Sequence, residues 1–261
     1  MSNIIAANAP ATSLNRVPKV TVDFWIIKVL AVTVGETFAD YMNINWGWGL
    51  TNTSLFLSAF LIVALVAQFY QRRYVPVVYW IAVVLISVVG TLVTDNLVDN
   101  FGITLPTTTA WFTAALAITF AIWYGFEKTL SIHSIYNFRR EAFYWLAILF
   151  TFALGTAAGD LIAERMGLGY FATGLVFIGI IAAVAVAYYG FKINAILAFW
   201  LAYIFTRPMG ASFGDLLSQP VEYGGLGFGT VITSFLFLSA IAAAVVYMTL
   251  THDGDEAVQL A

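Results

Sequence analysis

A tryptophan followed ten residues later by a glycine, and five residues after that by an aspartate, recurs four times in this chain. The frames are Trp25/Gly35/Asp40, Trp80/Gly90/Asp95, Trp145/Gly155/Asp160 and Trp200/Gly210/Asp215. With 8 Trp, 20 Gly and 8 Asp in 261 residues, about 0.02 chance occurrences of that frame are expected, so four of them mean true internal repetition. Successive frames are offset by 55, 65 and 55 residues, the extra ten falling around TLSIHSIYNF at 129–138. The chain therefore reads as two halves of two units each.

Every frame lies in an apolar segment. The chain is 61% hydrophobic and 10% charged, against roughly 45–50% apolar and 25% charged for soluble domains. Apolar runs recur at about 22–40, 53–71, 76–95, 107–126, 142–163, 171–190, 193–215 and 228–250, close to the ~20 residues that cross a bilayer. The expected fold is an all-α polytopic membrane protein with eight transmembrane helices in a single membrane domain, residues 22–250. An N-terminal cytoplasmic segment (1–21) precedes it and a cytoplasmic tail (251–261) follows. Each unit is one acid-bearing span followed by one acid-free span, with boundaries at about 22–75, 76–128, 142–192 and 193–250. All four units thus enter the membrane in the same direction, which predicts parallel repeats pseudo-symmetric about the membrane normal.

Residues 1–17 lack the basic start and central apolar run of a cleavable signal peptide, so the first span is expected to act as an uncleaved insertion signal. Arg16, Lys19, Arg72, Arg73, Lys128, Arg139, Arg140 and Lys192 fall at one set of span ends, and the opposite loops hold only Arg165. The positive-inside rule then places both termini in the cytoplasm of a plasma membrane, with HDGDEAVQLA as a solvated end. Absence of cysteine excludes disulfides, thiolate chemistry and iron–sulfur ligation. A net charge of −3 offers nothing to a nucleic acid.

On these four frames, over residues 20–250, the chain resembles a family of bacterial membrane proteins built from four tandem two-helix repeats. Each repeat of that family carries a characteristic tryptophan and is catalogued as having unknown function. The resemblance implies the eight-span architecture in a bacterial inner membrane and implies no activity.

Counting 1.5 Å per residue from a tryptophan at the cytoplasmic interface, each glycine falls about 15 Å in and each aspartate about 22 Å in. The tryptophans are expected to form an interfacial aromatic belt, and the glycines to mark close helix crossings. The aspartates have two readings. Either each span ends there in periplasmic water, or the carboxylates face a shared interior, where ionisable groups mark a pathway. The unfavourable end of the helix dipole weighs against the first.

Glu36 and Asp40 are spaced i, i+4 on one helical face. The matching positions elsewhere hold Thr91, Thr156 and Ala211, so unit 1 is chemically special. Like charges that close favour a proton or a cation between them. Lys28, three residues past Trp25, is expected to snorkel to the cytoplasmic face. Arg207 lies deeper, where the other units have Val32, Ser87 and Phe152, and Pro208 follows it. TRPMGAS therefore reads as a broken helix in span 7.

Five interior acids (Glu36, Asp40, Asp95, Asp160, Asp215) against Lys28 and Arg207 leave an uncompensated negative interior, which must bind protons, bind cations or sit in water. Oxygen ligands without cysteine favour Mg, Ca or Mn as substrate or ligand, with Glu36 and Asp40 as the candidate metal pair. Thr37, Asn43, Asn96, Thr156 and Ser212 are candidates to complete a shell. His133 and His252 lie off the path, in a loop and in the tail. The even spans, closing in WYGFEK and YYGFK, are expected to face lipid while the odd spans lie inside.

Three functions compete. The favoured reading is a transporter of a small cation, either a divalent metal or one coupled to protons, with the carboxylates as site and Arg207 and Lys28 as counter-charges or gates. The second is a structural or regulatory membrane protein. The third, an enzyme or cofactor-binding protein, lacks a Ser/His/Asp set, HExxH or a haem-ligating histidine pair, although Lys28 offers an amine for a Schiff base. No cofactor follows from the sequence, and the expected partners are the bilayer and a small cation or proton.

Overall fold

The structure is a computed structural model that describes residues 15–45 and 47–259, with side chains described throughout that range except at 44–45 and 252–259. The first fourteen residues of the expected N-terminal segment, and the tail side chains including His252, lie outside the described residues.

Eight α-helices follow one another: α1 (Val22–Asp40), α2 (Gly49–Tyr70), α3 (Pro76–Asp95), α4 (Leu105–Glu127), α5 (Phe138–Asp160), α6 (Tyr170–Phe191), α7 (Ala195–Ser218) and α8 (Thr230–Gln259). Local chemistry starts several of them. Thr21, Asn137 and Asn194 accept hydrogen bonds from first-turn amides of α1, α5 and α7, and α3 and α4 carry proline in the first turn, where no amide is missed. The α8 backbone runs nine residues past the 250 at which the span was expected to end. Seven helices, α2 to α8, are long and apolar enough to cross a membrane. The exception, α1, carries Asp23, Lys28, Glu36 and Asp40.

Helices α1, α3, α5 and α7 form a closed ring, each packed on the next and α7 back on α1. The even helices lie outside it: α2 on α3, α4 on α5, α6 on α7 and α8 on α1. Each outer helix thus leans on the ring helix of the following unit, which ties the last unit to the first. The expected division into inner and outer spans is present. Between 50% and 67% of the α3, α5 and α7 spans is buried in protein, against 17–22% of the outer ones. The outer helices turn Phe60, Ile62, Val63 and Val186 outward, as lipid, being as apolar as these side chains, permits.

Two sets of contacts close the ring. A Cβ on Gly35 would strike Ser87, one on Gly90 would lie 2.9 Å from Phe152 Cβ, one on Gly155 would strike Arg207, and one on Gly210 would strike Val32. Each repeat glycine therefore admits the residue seven past the tryptophan of the next unit, and the fourth returns to the first, as small residues at helix crossings allow. The tryptophans make the complementary cycle. Trp80 packs on Phe24 at 5.7 Å between ring centroids, Trp145 on Tyr79 at 5.4 Å, Trp200 on Tyr144 at 6.3 Å and Trp25 on Phe199 at 5.9 Å.

That cycle corrects the expectation of a lipid-facing belt. Trp80, Trp145 and Trp200 are buried and only Trp25 is half-buried. The rings are drawn inward because aromatic faces bury large areas between helices and their indole N–H groups find acceptors there. Trp80 Nε1 donates to Tyr74 Oη at 3.1 Å, Trp145 Nε1 to Glu141 Oε1 at 3.4 Å and Trp200 Nε1 to the Leu130 carbonyl at 2.9 Å.

Candidate functional site

In every ring helix, the residues at −1, +3, +7, +11 and +15 from the tryptophan recur at four-residue spacing and so share one face. They read Phe24/Lys28/Val32/Glu36/Asp40, Tyr79/Val83/Ser87/Thr91/Asp95, Tyr144/Ile148/Phe152/Thr156/Asp160 and Phe199/Tyr203/Arg207/Ala211/Asp215. Contacts across the ring bring these stripes together into a polar column.

Arg207 occupies its middle, fully buried. Its Nη2 donates to Glu36 Oε2 at 2.8 Å, to Thr156 Oγ1 at 2.7 Å and to Thr91 Oγ1, while Nη1 donates to the Val32 carbonyl at 3.2 Å. One guanidinium from α7 thus bonds α1, α3 and α5 at once. The matching Glu36, Thr91 and Thr156 are the three oxygen-bearing members of one layer. From the sequence alone, Thr91 marks only a place where the acid is missing.

The expected break in α7 is absent: the helix runs from Ala195 to Ser218 with Pro208 inside it. Side chains bond the carbonyls that flank the proline. Lys28 Nζ and Thr206 Oγ1 both donate to the Tyr203 carbonyl, at 3.1 and 2.8 Å, and Ser212 Oγ donates to the Pro208 carbonyl at 2.9 Å. The prolyl ring itself lies against Gly155 and Gly159.

On one side of Arg207 stand the carboxylates. Glu36 is an electrostatic neighbour of Asp40, Asp95, Asp160 and Asp215 alike. The four aspartates are thus linked electrostatically through Glu36, with Asp40, Asp95 and Asp160 half-buried and Asp215 buried. Asp40 Oδ2 accepts from Gln219 Nε2 at 3.1 Å. Among the described residues, Asp95, Asp160 and Asp215 accept no side-chain hydrogen bond, although Asp215 is only 6% exposed.

The helices do not end at these acids. A single π-helical turn continues α1, α3 and α5 through 41–45, 96–100 and 161–165, a local widening often found at functional positions. Two of these turns add Asp99 and Glu164, which share the same electrostatic neighbourhood, with Tyr170 Oη donating to Glu164 Oε1 at 3.0 Å. Sequence reasoning passes over both, because a π turn shifts the face by one residue and no pattern announces it.

The candidate metal pair is already engaged: Glu36 by Arg207 and Asp40 by Gln219. Among the described residues, no three acids or histidines are grouped as a ready-made metal site. Of the candidate shell residues only Thr156 joins the Arg207 cluster. Thr37 accepts from Ser234, Asn96 bonds Ser54 and the Leu92 carbonyl, Ser212 bonds back within α7, and Asn43 sits half-buried in the first π turn. His133 is exposed in a loop.

On the other side of Arg207, Lys28 is wholly buried, and the expectation that it snorkels is corrected. Its Nζ donates to the Tyr203 carbonyl and to Thr206 Oγ1. It also stands 4.3 Å above the Tyr203 ring and 5.2 Å from the Phe152 ring. The stripe places it inward, and carbonyl, hydroxyl and ring faces together replace water there. One turn further, Tyr79 Oη and Tyr144 Oη share a hydrogen bond of 2.5 Å.

A second buried charge cluster stands at this basic end, and no sequence pattern announces it. Glu141, fully buried, accepts from Arg16 Nη1 at 2.6 Å and from Gln68 Nε2 at 2.9 Å. Asn15 bonds the loop at Ile132 and Ile135. Glu141 sits in the first turn of α5, where an acid ordinarily reads as solvated helix-dipole decoration.

Fold and site together define a multi-pass α-helical membrane protein whose ring of four helices encloses a column of polar and charged side chains. The chain belongs to the family described as Repeat of Unknown Function (DUF347), which matches it in four tandem segments, residues 24–74, 78–129, 143–194 and 198–253. No curated protein and no solved structure is significantly similar to it.

Proposed function

We propose that this protein transports a small cation along the axis of the four-helix ring. The carboxylates are its binding chamber, and the Arg207–Glu36 pair is the gate at the chamber's floor. One observation carries the reading: Glu36 shares its surroundings with four repeated aspartates, three of which accept no side-chain hydrogen bond from the described protein. Such a surplus of negative groups in a low-dielectric interior is untenable until positive species neutralise it. Arg207 neutralises one.

In this reading α1 is the eighth transmembrane helix, its charges tolerated because they face the ring and not lipid. The four units are pseudo-symmetric about the membrane normal, as the two contact cycles suggest. The end bearing Arg72, Arg73, Arg139 and Arg140 is cytoplasmic in a bacterial inner membrane, so the carboxylate chamber opens to the periplasm. The cation is Mg, Ca, Mn or a monovalent ion handled in exchange with protons. Arg207 blocks the axis at rest and must leave Glu36 for a cation to replace it.

Flux into proteoliposomes tests the proposal. Wild-type protein should carry one of Na, K, Mg, Ca or Mn, and Asp95→Asn with Asp160→Asn should abolish it. Equal flux in wild type and variant would end the proposal. A second reading is structural: Arg207, bonding three other helices, is a bolt that holds the ring. In that case the aspartate variants alter stability only and no cation moves.

A further inference from the structure

We propose that Lys28 is the proton-binding site of this membrane domain, and that it gives up its proton when the carboxylate chamber takes a cation. The proposal rests on the cation reading above and names its coupling.

Lys28 and Arg207 are both fully buried and are electrostatic neighbours. Among the described residues, no carboxylate pairs with Lys28. The nearest acid on its own stripe, Glu36, lies eight residues away, about 12 Å along the helix. Of two buried cations side by side, an amine can release its proton and a guanidinium cannot. With Lys28 charged, repulsion presses Arg207 onto Glu36 and holds the gate shut. With Lys28 neutral, Arg207 is free to withdraw toward the acceptors around Tyr203 and Thr206, and Glu36 is exposed to an arriving cation. For a monovalent ion one proton leaves as one positive charge enters, so the charge of the interior is conserved; for a divalent ion the second charge is balanced by a proton displaced from a carboxylate.

Hydroxyls that can relay that proton toward the basic end, accepting one proton and passing on their own, lie on this side of Arg207. Tyr203 Oη is buried without a hydrogen-bond partner, and the Tyr79–Tyr144 hydroxyl pair lies one turn nearer the basic end, on the side away from the carboxylates. Around Lys28 stand Tyr203, Thr206 and Arg207 from α7 and Phe152 from α5, with Tyr79 of α3 and Tyr144 of α5 one position nearer the basic end of the stripe. Helix α8 contributes no charged side chain over 230–251, and its Tyr247 is exposed. The site belongs to one unit alone, since the matching positions hold Val83, Ile148 and Tyr203.

The test uses full-length protein in detergent and weak buffer, titrated with NaCl, KCl, MgCl2, CaCl2 or MnCl2 while a pH dye and a calorimeter follow proton release and binding. The wild type should release protons as the cation binds. Its apparent affinity should rise by up to about tenfold per pH unit for each proton displaced, by linkage. In Lys28→Met binding should persist while release falls by about one proton per cation; in Lys28→Arg, whose fixed charge holds the gate shut, binding should weaken and the Lys28 proton should be missing from whatever release remains. Protons displaced from carboxylates remain in both variants and cancel in the difference. Unchanged release in the variants, or binding without release in the wild type, would overturn the Lys28 assignment and leave the cation chamber standing. Failure of all five cations to bind would remove both. Should Lys28→Met not fold, Lys28→Arg, which keeps the charge but cannot give up the proton, decides the question.

Discussion

The two halves of the ring axis are built from the same stripe of positions and differ in how their polar groups are satisfied. On the basic side of Arg207, Lys28, the Tyr79–Tyr144 pair and the Glu141 cluster find partners within the protein. On the acidic side, Asp95, Asp160 and Asp215 accept no side-chain hydrogen bond among the described residues. A half whose charged groups are bonded is a closed structure; a half whose acids accept no hydrogen bond from the protein is, on the proposed reading, the one that receives a cation. The repeat supplies the scaffold for both, and the departures from the repeat, Lys28, Glu36 and Arg207, mark the boundary between them.

Four substitutions probe that contrast, in decreasing order of effect. Arg207→Met should destabilise the ring by about 3–5 kcal/mol, because it strands Glu36 in a buried site. Adding Glu36→Gln should recover a large part of that loss, measured as thermal unfolding in detergent. An additive double variant would show that the pair is not coupled. Gly155→Leu should cost about 1–3 kcal/mol or more by forcing the α5–α7 crossing apart, whereas the same change at Gly179, which meets nothing within 4 Å, should be nearly silent. Tyr79→Phe should cost about 1 kcal/mol, the worth of one buried hydrogen bond. Asp160→Asn should have the smallest effect on stability, and of opposite sign: without cation it relieves repulsion and raises the unfolding temperature. A loss as large as that of Arg207→Met would mean that Asp160 is bonded after all.

Much of the architecture was legible because periodicity carries it. The Trp/Gly/Asp frame reveals the four units, and residue spacing places all eight helices near their observed starts and all but α8 near their observed ends. The glycines were read correctly as crossings because only a missing Cβ explains glycine inside an apolar helix. The tryptophans were misplaced because an indole is equally at home at an interface and in a core, and the choice depends on neighbours from the next unit. Lys28 was misread for a related reason: depth along a helix says how far a side chain must reach, not which way it faces. Its direction was nevertheless available, since Phe24, Lys28, Val32, Glu36 and Asp40 share one face with Arg207's counterparts in the other units. Glu141 and Glu164 carried no such sign, because their partners, Arg16 and Tyr170, are set by tertiary approach and by a local π turn.

The central claim is that the aspartates surround a chamber that takes up a positive ion. Calorimetric titration of Na, K, Mg, Ca and Mn salts into purified wild-type protein and into the Asp95→Asn/Asp160→Asn variant tests it most directly. The account predicts saturable binding of at least one of these cations to the wild type and its loss in the variant; identical isotherms for the two proteins, or no binding by either, would contradict it.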